Sequence, residues 1–285
     1  MKCKNTWRSE FYWKDVILSP AMRDSLKKLL FKENTPINLP GRTLNALRAR
    51  RLVDKNNKLT ETGTIVGLKT VSLKKQCEII GIQIETLKLK REYADPSVNA
   101  LFYFMKQGNR GSYCEGVAIR KVLFCLYAHR LIKIPIKKGN NDFFDGLSTY
   151  PFAVGLDMLL NTDGVQDYDS LTEELLSAIN ECNRDIFLTN YRELFPKGLC
   201  WYGVDELFAV QLFDLLGIEE LKNLARIIFS EPSAFYVGWP DLTLIRDGSV
   251  ELLEVKTTDK LHESQLITIP AIIENCNINV KILKL

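Results

Sequence analysis

The sequence predicts a mixed α/β protein, with a helical N-terminal region followed by a small mixed sheet flanked by helices. Three observations predict it. Two apolar-rich runs flank Asp247-Gly248, a strong turn signal, so residues 238–258 read as one β-hairpin. Ile278–Leu285 reads as a closing strand. Most of the chain upstream carries apolar residues at helical spacing instead.

Composition bounds the rest. The 285 residues suit one large domain or two ordinary ones, and 46% hydrophobic with 26% charged residues is globular. No apolar run approaches a membrane span, and Met1-Lys2-Cys3-Lys4 is not followed by a signal-peptide core. No membrane partner is therefore expected. Seven cysteines without a CxxC pair argue for reduced, buried thiols rather than a disulfide framework or zinc finger. The expected location is the cytoplasm of a prokaryote or virus-infected cell, or a eukaryotic nucleus, and not the secreted space. Only two histidines, His129 and His262, argue against a His-rich metal site. Charge is split: residues 1–140 hold 28 Lys and Arg against 11 Asp and Glu, whereas 141–285 hold 10 against 24. That asymmetry suits a polyanion held by the first half, or else a solvated basic surface.

Residues 1–15 mix aromatics with charge (Trp7, Phe11, Tyr12, Trp13) and are expected to form a docking arm. Ser19 can cap a helix with Pro20 at its first position, continued by Met22, Leu26, Leu29 and Leu30 and broken at Asn34-Thr35-Pro36. A second helix fits Leu39–Arg51, with Leu44 and Leu47 inward and Arg42, Arg48, Arg50 and Arg51 outward. The turn Asp54–Asn57 and Lys58–Gly63 then read as a short wing before another helix. The string LNALRARRLVDKNNKLTETG resembles the recognition helix and wing of winged-helix DNA-binding domains, so 1–72 is read as a winged-helix-like DNA-binding region. Protein contact or internal packing is the other use of such a unit.

Residues 73–112 read as a helical linker with a basic cluster, Lys88, Lys90 and Arg91, in which Asp95-Pro96 starts a helix and Gly108–Gly111 forms a loop. An amphipathic helix is expected over 113–131 through Ile119, Val122, Leu123 and Leu126, with Glu115 on its buried stripe. Such an acid is either a helix-start carboxylate or a metal ligand. Residues 132–165 are loop-rich, an insertion or lid. Helices are expected over Leu171–Cys182, Asp205–Leu216, Ile218–Phe229 and, despite Pro270, Leu261–Glu274.

The hairpin carries the chemistry. Asp241 opens its first strand, and Glu254 and Lys256, two apart on the second, share one face. Two opposed acids and a lysine at a sheet mouth suit metal-dependent phosphodiester hydrolysis; a cross-strand Glu–Lys ion pair is the plain alternative. Lys256 can orient or deprotonate water, and burial or a cation can lower its pKa. Glu251 has the opposite parity and is expected to face away, solvated. Asp259 and Lys260 flank the entrance, with Lys260 placed to touch DNA, and His262 reads as helix surface.

These residues support a resemblance. GWPDLTLI, VELLEVK and DKLHESQ resemble the VRR-NUC module of the PD-(D/E)xK nuclease superfamily. YCEGVAIRKVLFCLY and PFAVGLDMLL resemble its Fanconi-associated nuclease branch, and the likeness covers roughly 100–285, with 113–285 as the nuclease domain. The resemblance implies Glu115, Asp241 and Glu254 as metal ligands together with the Val255 carbonyl, Lys256 as the catalytic lysine, Gln265 as a supporting residue, and Mg²⁺ or Mn²⁺ as cofactor. Glu206, at the start of another amphipathic helix, is the alternative first acid. Members of that branch carry a longer N-terminal region than the hundred or so residues that precede Glu115, so a compact prokaryotic or viral relative is expected. The implied activity is DNA cleavage at a flap, fork or end in repair or fork processing, with branched or end-containing duplex as partner. The alternatives are a sequence-specific restriction or mobile-element endonuclease and a non-catalytic DNA-binding protein.

Overall fold

The structure, a computed structural model, describes residues 17–31, 39–131, 168–195 and 204–285. The expected aromatic arm, the break at Asn34-Thr35-Pro36 and the stretch 132–165 with PFAVGLDMLL lie outside the described residues. The chain divides into two compact units, 1–76 and 77–285.

In the first unit, α1 (Pro20–Phe31) starts where Ser19 Oγ accepts the Met22 N–H. Helix α2 spans Gly41–Ala49, shorter than the expected Leu39–Arg51. Arg51 turns left-handed (φ 55°); its N–H bonds Arg48 O, and the Leu52 N–H bonds Leu47 O. This Schellman closure ends the helix with arginine where glycine is usual. Arg50 and Arg51 therefore lie beyond the helix, while the reversal drives Leu52 and Val53 into a core with Leu18, Met22, Leu26 and Leu47. Val53 bridges Leu59 antiparallel across a turn in which Asp54 accepts the Asn56 and Lys58 N–H groups. Thr60 then caps α3 (Glu61–Lys69), and α4 follows over Leu73–Ile80. At Gly63 a Cβ would sit 1.8 Å from Leu52 O, so α3 meets the backbone of the reversal directly.

The second unit is a mixed α/β body. In chain order it holds β1 (Gln83–Thr86), α5 (Pro96–Lys106), β2 (Arg110–Tyr113), α6 (Val117–Leu131), α7 (Tyr168–Glu181), α8 (Arg184–Leu194), α9 (Glu206–Ser230), α10 (Pro232–Phe235), β3 (Leu242–Arg246), β4 (Ser249–Lys256), α11 (Glu263–Asn275) and β5 (Asn279–Lys284). The sheet order is β1-β5-β4-β3-β2. β1, β5 and β4 are mutually parallel, whereas β3 is antiparallel to both β4 and β2. Two strands thus come from the stretch expected as a helical linker: four residues are too few for an alternation to stand out. The hairpin matches its expectation. Arg246 pairs Ser249 across a two-residue turn, with Asp247 and Gly248 both at positive φ (51° and 73°). The two helices expected on either side of Gly217 are both present: α9 is interrupted there, where the Gly217 backbone (φ 69°, ψ 168°) is not helical.

Helix α5 covers one sheet face, packing Ala100 and Phe104 on Leu242, Leu244, Leu253, Val255 and Leu283. Glu254 has the opposite parity and meets Gln265 of α11, so α11 covers the other face. Helix α6 is buried against α7, α8 and α9. Among the described residues no helix is long and apolar enough to cross a membrane.

Glu251 corrects an expectation. It does face away from Glu254, but it is 3% exposed rather than solvated. It lies on the α5-covered face of a central strand, and its charge is met from both neighbouring strands. Arg246 (3.3 Å), Asn279 (2.9 Å) and Lys281 all donate to it, and the Arg246 guanidinium also lies 5.4 Å from the Phe104 ring centre. Removing one partner of such a buried set leaves the other charges uncompensated. Glu251→Ala is expected to destabilise the protein by about 3 kcal/mol, read as a lower urea midpoint with unchanged slope.

Candidate active site

Three strand ends meet at one edge of the sheet. Antiparallel pairing sets the end of β2 and the start of β3 beside the end of β4: Tyr113 faces Leu242, and Leu242 faces Leu253. Asp241, one residue before β3, therefore lies level with Glu254. Its Oδ2 accepts the Val255 N–H at 2.8 Å, which ties it to β4. Glu254 is 1% exposed and Lys256 3%. Glu254 Oε1 accepts from Lys256 Nζ at 2.9 Å and from Gln265 Nε2 at 2.6 Å. The Gln265 Oε1 accepts the His262 N–H at 2.9 Å, so its amide is oriented with the nitrogen toward Glu254. Lys256 also reaches Asp259 Oδ2 at 3.1 Å. The Glu–Lys pair thus exists, but it is buried, where desolvation offsets most of its Coulombic gain. The other oxygen, Glu254 Oε2, is buried and finds no hydrogen-bond partner among the described residues. A carboxylate oxygen held dry and unpartnered beside a second acid is suited to a hard cation.

Glu115 is placed differently from expectation. Helix α6 starts only at Val117, and Glu115 lies in the preceding turn, exposed and left-handed (φ 44°). The reason is the pairing of β2 with β3. The Cys114 N–H continues the ladder to Asp241 O at 3.0 Å, so the chain is still leaving the strand at Cys114. It then needs two left-handed residues, Glu115 and Gly116 (φ 76°), to swing into the helix. Gly116 packs on the Trp239 ring, where a Cβ would lie 2.4 Å from Cγ. Trp239 is 2% exposed and donates to Phe235 O, and Gly238 (φ 80°) abuts the backbone of Ser264 at the start of α11. The Gly-Trp-Pro-Asp segment is therefore wedged between the α6 turn and α11, which sets where Asp241 emerges.

Electrostatics follow the burial. Burial and then the Asp241 charge push Glu254 up to about 8, against the pull of Lys256 and Gln265. Asp241 is also raised, first by burial and further by Glu115 and Asp95, although the Val255 N–H and Lys256 oppose this. Lys256 does not shift down as the sequence suggested. Burial pushes it down, but Glu254 and Asp259 outweigh burial and hold it above the usual lysine value, so it is a cation near neutrality. Asp95, read only as a helix cap, does cap α5 through the Ser97 N–H, and it also accepts from the Tyr113 hydroxyl at 2.7 Å beside Asp241. Only the Asp-Pro helix start marked it in sequence.

The remaining candidates lie as follows. Glu206 makes a bidentate pair with Arg192 (2.7 and 2.9 Å) on the surface at the start of α9. Lys260 is exposed beyond Asp259, and the His262 side chain is exposed. Lys88 and Lys90 are exposed in the second unit, and Arg42, Arg48, Arg50 and Arg51 are exposed in the first. Among the described residues no group of three His, Cys, Asp or Glu side chains is placed to hold a metal ion, so the nucleus of the site is the pair Asp241–Glu254.

A pH dependence follows from Glu254. Its folded value lies above its ordinary 4.5, so its stabilising effect is complete below 4.5 and lost as pH rises through about 8. In chelator the thermal midpoint is expected to fall between pH 5 and 8, and Glu254→Gln to flatten that fall, measured by calorimetry across this range.

No protein-family model and no curated protein matches the chain. Solved structures do. The chain is similar to paFAN1 bound to DNA with a one-nucleotide 5′ flap and a gap, with TM-score 0.56 and 15% identity over 92% of this chain and 52% of that one. It is also similar to paFAN1 bound to a two-nucleotide 5′ flap with a gap, with TM-score 0.54 and 15% identity over 85% and 45%. The chain spans about half the length of these structures, and at this identity the likeness is one of fold: the mixed sheet and its helices have the architecture found in these DNA-bound structures.

Proposed function

We propose that the chain is a metal-dependent DNA nuclease that hydrolyses phosphodiester bonds in duplex carrying a flap, fork or end. The observation that carries this is Glu254 Oε2, a buried carboxylate oxygen without a hydrogen-bond partner among the described residues, set beside a second raised acid and a charged lysine. Asp241 and Glu254, with the Val255 carbonyl, would hold Mg²⁺ or Mn²⁺, which takes one or two carboxylates and keeps several waters. Glu115, exposed at the same edge and close enough to raise Asp241, stands outside that pair as placed and would complete the set by turning toward it. Bound there, the ion supplies Lewis-acid polarisation of the phosphodiester and a more acidic water.

The chain's own residues do the rest. Gln265 pins one Glu254 oxygen and leaves the other to meet a cation. Lys256, kept protonated, serves as a fixed positive charge toward the attacking water and the phosphate oxygens rather than as a base. The DNA in the paFAN1 structures carries a 5′ flap, which supports a flap-type substrate for this chain. Lys88, Lys90 and Lys260 would meet the backbone near the site. The first unit, with exposed Arg42, Arg48, Arg50 and Arg51 around a two-residue bridge and turn, would act as a winged-helix-type grip on duplex.

A panel of labelled flap, fork, end-containing and plain duplex DNAs with Mn²⁺ tests the reading. Wild type is expected to cut one or more of the branched or end-containing DNAs, and Asp241→Asn, Glu254→Gln and Lys256→Ala to lose about 100-fold or more. Glu206→Gln is expected to retain activity and Glu115→Gln to lose it. Absence of cleavage of any DNA at every metal concentration would sink the proposal, and cutting of plain duplex at one sequence would replace it with a sequence-specific endonuclease.

A further inference from the structure

An exposed aromatic pair in the second unit stands outside both the sheet core and the acid pair. Helix α5 buries Ala100 and Phe104 against the sheet, as an amphipathic helix should. Its outer face nevertheless carries Phe102 and Met105, 38% and 46% exposed. The Tyr93 ring lies on Phe102, with centroids 4.8 Å apart and planes 18° from parallel, and is itself 41% exposed. The arrangement is built. Asn99, 7% exposed, accepts the Glu92 and Tyr93 N–H groups at 2.7 and 2.8 Å and donates to Tyr93 O and Asp95 O at 2.8 and 2.7 Å. One buried side chain thus holds the backbone of an exposed tyrosine. Cations lie close in sequence: Lys88, Lys90 and Arg91 precede Tyr93, with Arg91 donating to Ala94 O, and Lys106 on α5 pairs with Glu92.

The platform is also tied to the site. Two residues after Tyr93, Asp95 accepts from the Tyr113 hydroxyl at 2.7 Å, and Tyr113 faces Leu242, the residue after Asp241. From these contacts we infer that the Tyr93–Phe102 pair is a stacking platform for an unpaired nucleobase of the DNA whose backbone lies at Asp241 and Glu254. Flat rings bind any base through its π-face, and flanking cations follow the phosphates. A paired duplex keeps its bases stacked on one another, so the platform selects DNA with a base already unpaired, such as a flap or a frayed end. The inference rests on the nuclease reading for its substrate, but it concerns binding and is tested apart from cleavage.

The experiment measures fluorescence anisotropy of the full chain in Ca²⁺ with three DNAs: a one-nucleotide flap with its base, the same flap abasic, and blunt duplex. Wild type is expected to bind the flap with its base about tenfold tighter than the abasic flap. Tyr93→Ala and Phe102→Ala are expected to erase that difference while leaving abasic-flap and blunt-duplex binding and the thermal midpoint unchanged, and Tyr93→Trp to keep it. Equal wild-type affinity for base and abasic flaps overturns the inference without needing a variant. So does a Tyr93→Ala variant that weakens all three DNAs equally, or one that loses thermal stability yet keeps the base dependence. Base dependence in a protein that cuts nothing keeps the platform and removes the nuclease. Cleavage without base dependence does the reverse, and no binding to any of the DNAs overturns both.

Discussion

The burial of Glu254 next to Asp241 is the constraint around which the second unit is arranged. Two acids in a dry environment repel each other and resist ionising, and the fold meets that cost only in part. Lys256 and Gln265 satisfy one Glu254 oxygen, and the Val255 N–H satisfies one Asp241 oxygen. The remaining Glu254 oxygen has no partner among the described residues. Hydrophobic packing on both sides of β4 holds this geometry, with α5 beneath and α11 above, so the carboxylate cannot turn out to water. A site that is costly without a cation is one whose stability and affinity for a cation are linked.

Close backbone packing gives the acids their positions. Gly116 against Trp239 and Gly238 against Ser264 admit no side chain, and both adopt left-handed φ. Together they lock the turn after β2 to the segment before β3. Glu115 pays for that turn with a left-handed backbone of its own, a strained conformation for a residue with a side chain and one that concentrates at functional positions. The same edge of the sheet gathers Asp95 and Tyr113, and Asp95 follows Tyr93 by two residues, so the proposed hydrolytic site and the proposed base platform would share one scaffold.

How much was legible in the sequence depends on how local the signal was. Asp247-Gly248 specified the hairpin, and strand parity put Glu254 and Lys256 on one face and Glu251 on the other. The fate of Glu251 was not legible, because its solvation depends on α5 and on Lys281 and Asn279 of a strand almost thirty residues later. Glu115 was misplaced for a related reason. Apolar spacing from Ile119 onward is helical, and it does not reveal that the residues just before it are committed to pairing with β3. Arg50 and Arg51 left their helix because Leu52 and Val53 gain more by burial than the helix gains from one more turn.

By itself, then, the sequence determined the elements whose signals are short-range: the hairpin, its facing acids, the helix with Gln265 and the closing strand. Tertiary structure decided the membership of β1 and β2 in the sheet, the turn that carries Glu115, the pairing of Glu206 with Arg192, and the upward rather than downward shift of Lys256. The physical reason is that burial and pairing are set by residues distant in the chain. A carboxylate's environment, unlike a turn's geometry, is not encoded by its sequence neighbours.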